Sequence, residues 1–419
     1  MKVGSKTSNK AYTLQEFHTN IVIAGGGLAG LTLAVELAQR AAFAGKQIVV
    51  LDRDAKHRND RTWCFWATPG EPLPPVVHKT WSQCRFYAPD FEKKLDIAPF
   101  NYHMVRGQDF YRWAHGELAR RPNIRRVQAN IERIDATIGA VYTDAGVFNG
   151  GLIFNSAFTK TRVLPAASPD YPEPPLSAAP EALRRKPGSR LLQHFCGWVI
   201  ETDTPVFDPA CVTFMDFRPH QHGETRFVYV LPFTDKRALV EFTLFSPALL
   251  AREAYDEALR EYVGQHLNIR DFRILETEFG VIPMTDFRFP HRQEGRVIHI
   301  GTAGGFVKAS SGYAFKRTQR NIRAFVDDWE RTGRPNPAVL RSPYVFRAFD
   351  SIFLRVLHSN NALGGLIFKC LFEKLPADLV FRFLDEDSTF AETMRLLSAP
   401  PPAPFLGAFF QQLPGLFRI

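Results

Sequence analysis

Apolar residues first gather at Ile21-Val22-Ile23-Ala24, a run too short for a helix and closed by a glycine turn, which predicts a buried strand. From 28 to 40 the period becomes helical, with Leu31, Val35 and Ala38 on one face. A second apolar run, 48–51, ends at Asp52, so 20–52 reads as strand, turn, helix, strand. Residues 53–75 read as a polar loop carrying an aromatic cluster, 107–121 as a helix, and 124–158 as short strands ending in Gly151-Leu152-Ile153-Phe154. Seven prolines lie between Pro165 and Pro187, which marks 159–190 as a connector. Strands are predicted at 198–200, 227–230 and 238–245, a helix at 250–267, and strands again within 272–300. A second glycine turn at 301–305 leads into a helix reaching about Glu330. Residues 340–419 are helical in pattern: Phe346, Phe349, Ile352, Phe353, Val356 and Leu357 have amphipathic spacing, and 364–371 is more uniformly apolar. No internal repeat is visible.

Composition adds one bias. The 419 residues include 37 Phe against 11 Tyr and 6 Trp, an excess of rings without a polar handle. That suits an apolar ligand, a lipid-facing surface or a Phe-rich core. The formal charge of +9 fits an anionic membrane surface, a phosphate-bearing cofactor or a plain basic exterior. Nucleic acid is disfavoured, because no zinc-finger spacing, RNA-binding aromatic signature or recognition helix is present. Five cysteines without a CxxC pair imply a reducing compartment and no structural metal or disulfide framework. The first twenty residues lack the apolar core of a secretory signal, and no apolar stretch is long enough to span a bilayer. Contact with lipid is therefore expected from one side only.

Gly25, Gly27 and Gly30 form a GxGxxG fingerprint. One glycine serves the tight turn, one the approach to a pyrophosphate, and one the packing of helix on strand. The helix N-terminus offers free N–H groups to the anion. Asp52, at the end of the following strand, is placed to accept ribose hydroxyls. A fingerprint this early, with a second glycine turn at Gly301, Gly304 and Gly305, suits an extended FAD gripped by two distant segments rather than NAD. No HExxH, GxSxG or phosphate-loop motif appears.

Several stretches keep one family's order. They are Asn59-Asp60-Arg61-Thr62-Trp63-Cys64-Phe65-Trp66, Tyr102-His103-Met104-Val105-Arg106-Gly107, Gln193-His194-Phe195 with Gly197-Trp198, and Met215-Asp216-Phe217-Arg218. Val240-Glu241-Phe242-Thr243-Leu244-Phe245-Ser246, Gly280-Val281-Ile282-Pro283-Met284-Thr285, and Gly301-Thr302-Ala303-Gly304-Gly305 leading to Ser311-Gly312-Tyr313 follow. Phe349-Asp350-Ser351-Ile352-Phe353-Leu354-Arg355 and Phe383-Leu384-Asp385-Glu386 close the series. Together they resemble the bacterial lycopene beta-cyclases. The resemblance implies an α/β fold: a glutathione-reductase-type FAD-binding Rossmann domain, a mixed-sheet substrate lobe and a C-terminal helical region. It implies bound FAD working in the reduced state, with NAD(P)H as external reductant. It implies that Glu241 is the essential acid, and that Arg106 and the 301–305 turn approach the flavin or its linker. Phe154-Asn155-Ser156 carries Asn where relatives have Asp, and the proline-rich connector is longer than the family needs. The expected division is 19–160 with 272–330 for FAD, 161–271 for substrate, the connector at 165–187 included, and 340–419 as a helical, membrane-facing region.

The implied reaction is a redox-neutral cyclisation of lycopene ends to beta-ionone rings, which makes the protein an intramolecular lyase, an isomerase. The acid must be neutral when the hydrocarbon arrives, and an apolar strand is the right setting for a raised carboxyl pKa. With period two, Glu241 shares a face with Leu239, Thr243 and Phe245. Asp216 is a candidate acceptor of the final proton or orienter of Glu241, its alternative being a structural strand-end acid. Trp63, Phe65 and Trp66 are candidate cation-facing rings or ordinary packing, and His194 reads as structural. The Phe-rich C-terminal helices, with Arg347, Arg355, Lys369, Lys374 and Arg382, fit either a membrane interface or packing on the flavin lobe. A peripheral location on the cytoplasmic side of the membrane is expected. Competing readings are an FAD-dependent redox enzyme, such as a monooxygenase or isoprenoid reductase, and a non-catalytic flavin- or carotenoid-binding protein.

Overall fold

The run 21–24 is apolar on both sides because its strand, Glu16–Ala24, sits inside a parallel array covered on both faces. A computed structural model describes residues 15–157, 162–164, 190–287, 289 and 295–416, with side chains omitted for 162–164, 190 and 411–416. In the first sheet Glu16–Ala24 pairs in parallel with Ile48–Asp52 and Gly146–Asn155, which carry Ile124–Gln128 and Val297–His299 outside them. Ala140–Thr143, Ile131–Asp135 and Arg162–Leu164 extend the same sheet beyond Gly146–Asn155. Ile21, Ile23, Ile48 and Val50 meet the helices Leu28–Ala38, Gly107–Ala119 and Phe315–Thr332. The alternate residues Val22, Ala24, Val49 and Leu51 pack with Ile134, Val141 and Ile153. Each large apolar side chain so enclosed contributes roughly 1.5–3 kcal/mol.

The second sheet has seven strands in the order Arg273–Thr285, Arg190–Glu201, Arg237–Ser246, Thr225–Pro232, Cys211–Asp216, Gln83–Ala88, Phe91–Leu95. One face is covered by the helix Arg252–Gln265, whose Tyr255, Leu259, Tyr262 and Val263 pack on Cys196, Val228, Val240, Phe242 and Leu244. The other face looks toward a three-stranded sheet, Thr62–Ala67, Asn101–Arg106 and Lys79–Trp81, and toward the C-terminal helices.

Two sequence expectations need correction here. The segment 53–75 is not wholly loop: Thr62–Ala67 pairs antiparallel with Asn101–Arg106, which its alternating aromatic pattern permits. The domain division is also drawn differently. Gln83–Ala88 and Phe91–Leu95, expected in the nucleotide domain, pair into the second sheet, and Arg273–Thr285 forms that sheet's edge. Cys211–Asp216, which joins Gln83–Ala88 to this sheet, lies more than a hundred residues away, and Arg190–Glu201, the partner of Arg273–Thr285, lies beyond three intervening strands and a helix, so short-range pattern cannot choose these pairings. The connector 165–187 lies outside the described residues.

Beyond 340 the chain forms five helices, Tyr344–Ser359, Leu363–Lys374, Ala377–Leu384, Phe390–Leu397 and Pro402–Leu416. Phe346, Phe368, Phe372, Phe381 and Phe383 enter the core beneath the second sheet. Buried charge fastens this layer: Lys308 reaches Asp350 at 2.9 Å and Glu386 at 3.3 Å, and Arg317 reaches Glu386 at 3.1 Å. Among the described residues no helix is long and apolar enough to cross a membrane.

Candidate functional site

Two glycine segments meet at the N-terminus of the helix Leu28–Ala38. Gly25 has φ +109°, and a Cβ there would lie 2.4 Å from Ser156 Oγ. A Cβ on Gly30 would lie 1.9 Å from the Gly25 carbonyl oxygen, so this glycine sets the helix against the strand. Gly27, the N-cap, faces open space: a Cβ there would meet nothing within 4 Å, and no acidic residue stands in the first turn. That is a cradle for an anion on free backbone N–H groups. Gly301, at φ +61°, completes it, since a Cβ there would lie 2.8 Å from Ala29 Cβ. The 301–304 turn ends on Gly305 in the left-handed region, and a Cβ on Gly304 would crowd the His299 carbonyl. Asp52 stands beside Gly26, accepting its N–H at 2.6 Å. The residues present therefore fit an extended dinucleotide. The substitution at Asn155 has a local logic: its amide contacts His299 Nδ1 at 3.1 Å, and burial holds His299 down to about 4, so a neutral amide meets a neutral ring.

The second centre lies on the inward face of the second sheet. Leu239 and Phe245 share the inner core while Val240, Phe242 and Leu244 face the helix Arg252–Gln265, so Glu241 points inward as its period requires. One row runs across the sheet through Glu278, Gly197, Glu241 and Tyr229. The two glutamates stand two strands apart, about 10 Å at their Cα atoms. Gly197 lets them meet. A Cβ there would lie 3.0 Å from Glu278 Cγ and 3.2 Å from Glu278 Oε1, so the Glu278 chain crosses the bare glycine toward Glu241. Thr62 Oγ1 donates to Glu278 Oε2 at 2.8 Å, and Thr243 Oγ1 to Glu241 Oε1 at 3.2 Å.

The electrostatics keep Glu241 neutral. Loss of hydration and the facing Glu278 carboxyl push it well above the usual carboxylate range, against a weaker pull from Thr243. Burial raises Glu278 too, but Glu241, Thr62 and Arg106 hold it back. The other neighbours of Glu241 are a thiol and a phenol, Cys64 and Tyr229, both pushed up by burial and so uncharged. Tyr229 lies 3.5 Å from Tyr313 across their hydroxyls, and Tyr313 also reaches Tyr102, which reaches Cys64. Trp66 stacks on Phe381 and meets Tyr313 edge-on, forming an aromatic wall beside this cluster.

The remaining sequence candidates separate. Asp216 is not brought to Glu241. Its row runs through Val228 and Phe242, on the opposite face, where the carboxylate is fully buried and bound by Arg218 Nη2 at 2.5 Å and Tyr262 at 2.8 Å. His194 lies on that face as well, between Ser246 at 2.8 Å and Tyr255 at 2.6 Å, with burial holding it down to about 4. Arg106 Nη2 donates to both Glu276 oxygens, at 2.9 and 2.8 Å, in a cleft shared with Asn59, Thr62, Gly197 and Glu278. It therefore stands beside Glu278. Trp63 and Phe65 pack on Phe315 in the nucleotide-domain core, while Thr62, Cys64 and Trp66 of that strand face the other way, toward the second sheet. Sequence reasoning missed Glu278 and gave no role to Gly197. Glu278 is one of two acids in Arg273–Thr285, and nothing local reveals that the strand carrying Gly197 sets it opposite Glu241.

Solved structures share the fold at low identity. A geranylgeranyl bacteriochlorophyll reductase-like protein from Thermoplasma acidophilum aligns with a TM-score of 0.57 and 10% identity, over 96% of this chain and 100% of that one. A p-nitrophenol 4-monooxygenase from Pseudomonas putida aligns with a TM-score of 0.55 and 14% identity, over 97% of this chain and 100% of that one. The architecture is thus a Rossmann-type flavoprotein fold with a C-terminal helical region. A lycopene beta-cyclase from Paracoccus sp. is 24% identical over 94% of this chain and 97% of its own length. Residues 20–409 match the family described as lycopene cyclase protein, and the chain belongs to that family.

Proposed function

We propose that this protein is a lycopene beta-cyclase, converting lycopene through gamma-carotene to beta-carotene by acid catalysis without net oxidation. The observation that carries this reading is Glu241, a carboxylic acid kept neutral on the inward face of the sheet among a thiol, a phenol and a second carboxyl. Lycopene offers no ionisable handle, so ring closure starts with a proton on the terminal C=C bond. Glu241 donates that proton and becomes a carboxylate. The next C=C bond attacks the tertiary cation, closing the six-membered ring and moving the charge into it. Loss of a ring proton then restores the double bond, so one proton is added, one is lost, and no electrons are transferred. Glu241, newly ionised beside Glu278, is the base we assign to that last step. FAD would be held by Gly25, Gly27, Gly30 and Asp52 at its adenosine diphosphate end, with Gly301, Gly304 and Gly305 closing the cradle. Reduced at the expense of NAD(P)H, a flavin bound there would supply negative charge to offset the cation. Trp66 and Tyr313 add ring faces.

Lycopene dissolves in membranes, and we place the protein at the cytoplasmic membrane surface, taking substrate from one side. The test is expression in a lycopene-accumulating bacterium, followed by pigment chromatography and mass measurement. Cyclic carotenes of unchanged mass are expected. Unchanged lycopene from folded, flavin-loaded protein would sink the reading, and a product of altered mass would point to a redox flavoenzyme. Glu241→Gln is expected to lower turnover roughly 10²–10⁴-fold with flavin retained.

A further inference from the structure

Glu278 holds two oxygens in different settings. Oε2 accepts from Thr62 at 2.8 Å, whereas Oε1 is enclosed and receives no hydrogen bond from any donor among the described residues. A buried carboxylate oxygen left without a donor is costly. The group facing it is the Glu241 carboxyl, since both glutamates lie opposite Gly197 and Oε1 lies over that glycine on the Glu241 side. If both were ionised they would repel at short range in a site stripped of water. If Glu241 carries a proton, it donates to that oxygen and both problems vanish.

We propose that Glu278 is the positioning residue of the acid: as a carboxylate it accepts the Glu241 proton, fixing both the direction and the protonation of that carboxyl between turnovers. One detail supports this division of labour: Thr62 Oγ1 donates to Glu278 at 2.8 Å, shorter than the 3.2 Å from Thr243 Oγ1 to Glu241, so the negative charge is better held on Glu278. The groups acting on Glu241 from the other packed elements are Cys64 and Tyr229, with Cys196 behind the sheet and Tyr102 and Tyr313 beyond them, and burial raises every one of them. Glu276 pairs with Arg106 in the cleft beside Glu278. Glu278 is thus the negative charge within reach of the acid.

The proposal rests on the cyclase reading for its role in turnover, but its geometry is testable without turnover. The carbonyl stretch of a protonated buried carboxyl is followed by infrared difference spectroscopy in flavin-loaded protein without carotenoid, as pH is raised. Glu241→Gln should remove the band. Glu278→Gln, which keeps shape but not charge, should keep the band and move its midpoint down by roughly one unit or more, about a tenfold change in the proton's dissociation constant. The alkaline limb of the cyclisation rate should move the same way, and Glu278→Asp should restore part of the shift. Gly197→Ala, which displaces the Glu278 side chain, should mimic Glu278→Gln. Identical band midpoints in wild type and Glu278→Gln would overturn the proposal. A shifted band in a protein that forms no rings would instead leave the pair standing and remove the cyclase reading.

Discussion

Single residues in the nucleotide cradle carry separable tasks, and substitutions should separate them. Gly30→Val is expected to prevent folding, since even a Cβ would lie 1.9 Å from the Gly25 oxygen and the helix would be forced off its strand. Gly27→Val meets open space, so the thermal midpoint of the apoprotein should change little while flavin binding is lost. Absorbance of the purified protein and a melting curve measure both. Retained flavin in Gly27→Val would show that no pyrophosphate sits there. This part of the site was legible in sequence because glycine spacing is local: the turn, the helix start and Asp52 lie within thirty residues. The acid Glu241 was legible by its strand period and by resemblance. Its partner was not, because the contact depends on the register of three strands. Asp216 shows the same limit, since a one-residue difference in pairing phase sends a strand acid to the opposite face.

At the scale of elements, the C-terminal helices are tied down by charge as well as by phenylalanine. Lys308, one per cent exposed, follows the 301–305 turn directly and binds Asp350 on one helix and Glu386 just past another. Burial alone would raise the Glu386 carboxyl, but Lys308 and Arg317 outweigh it and hold it below its ordinary 4.5. A carboxyl lowered on folding contributes stability that is present above its unfolded value and lost as pH falls through its folded value. Below about pH 4.5 the helices beyond 344 should therefore loosen. Lys308→Met leaves the buried Asp350 without its cation and Glu386 with Arg317 alone, and should cost roughly 3–5 kcal/mol. Trypsin should then cut first at Arg341, exposed between the nucleotide-domain helix and the C-terminal layer. An unchanged melting midpoint and digestion pattern would show that packing alone holds the layer. Sequence pattern revealed the helices but not this clasp, whose members lie 42 and 78 residues apart.

For the whole molecule the question is how a protein with no spanning helix among its described residues would reach a substrate dissolved in lipid. The basic side chains expected to face a membrane are partly engaged inside the fold. Arg382 bonds Glu392 and Asp378, and Lys374 bonds the Ala399 carbonyl. What the surface offers instead is apolar and lies on the last two helices: Phe390 at 73% exposure, Phe410 at 63% and Leu406 at 53%, with Met394 and the exposed Arg395 beside them in sequence. Large exposed rings are costly in water, and burying one in the acyl boundary regains roughly 1.5–3 kcal/mol. On the membrane-surface reading, the protein floats with vesicles of mixed anionic and neutral phospholipid. The double substitution Phe390→Ser and Phe410→Ser then weakens that binding at least about tenfold without changing the melting midpoint. Added salt should weaken it less than the substitutions do, because the anchor is apolar and screening acts on charge. Cyclisation of lycopene delivered in vesicles should fall with binding, while cyclisation of detergent-dispersed lycopene should persist. If the double variant floats as the wild type does, the C-terminal helices are packing elements alone and the polyene enters across another face.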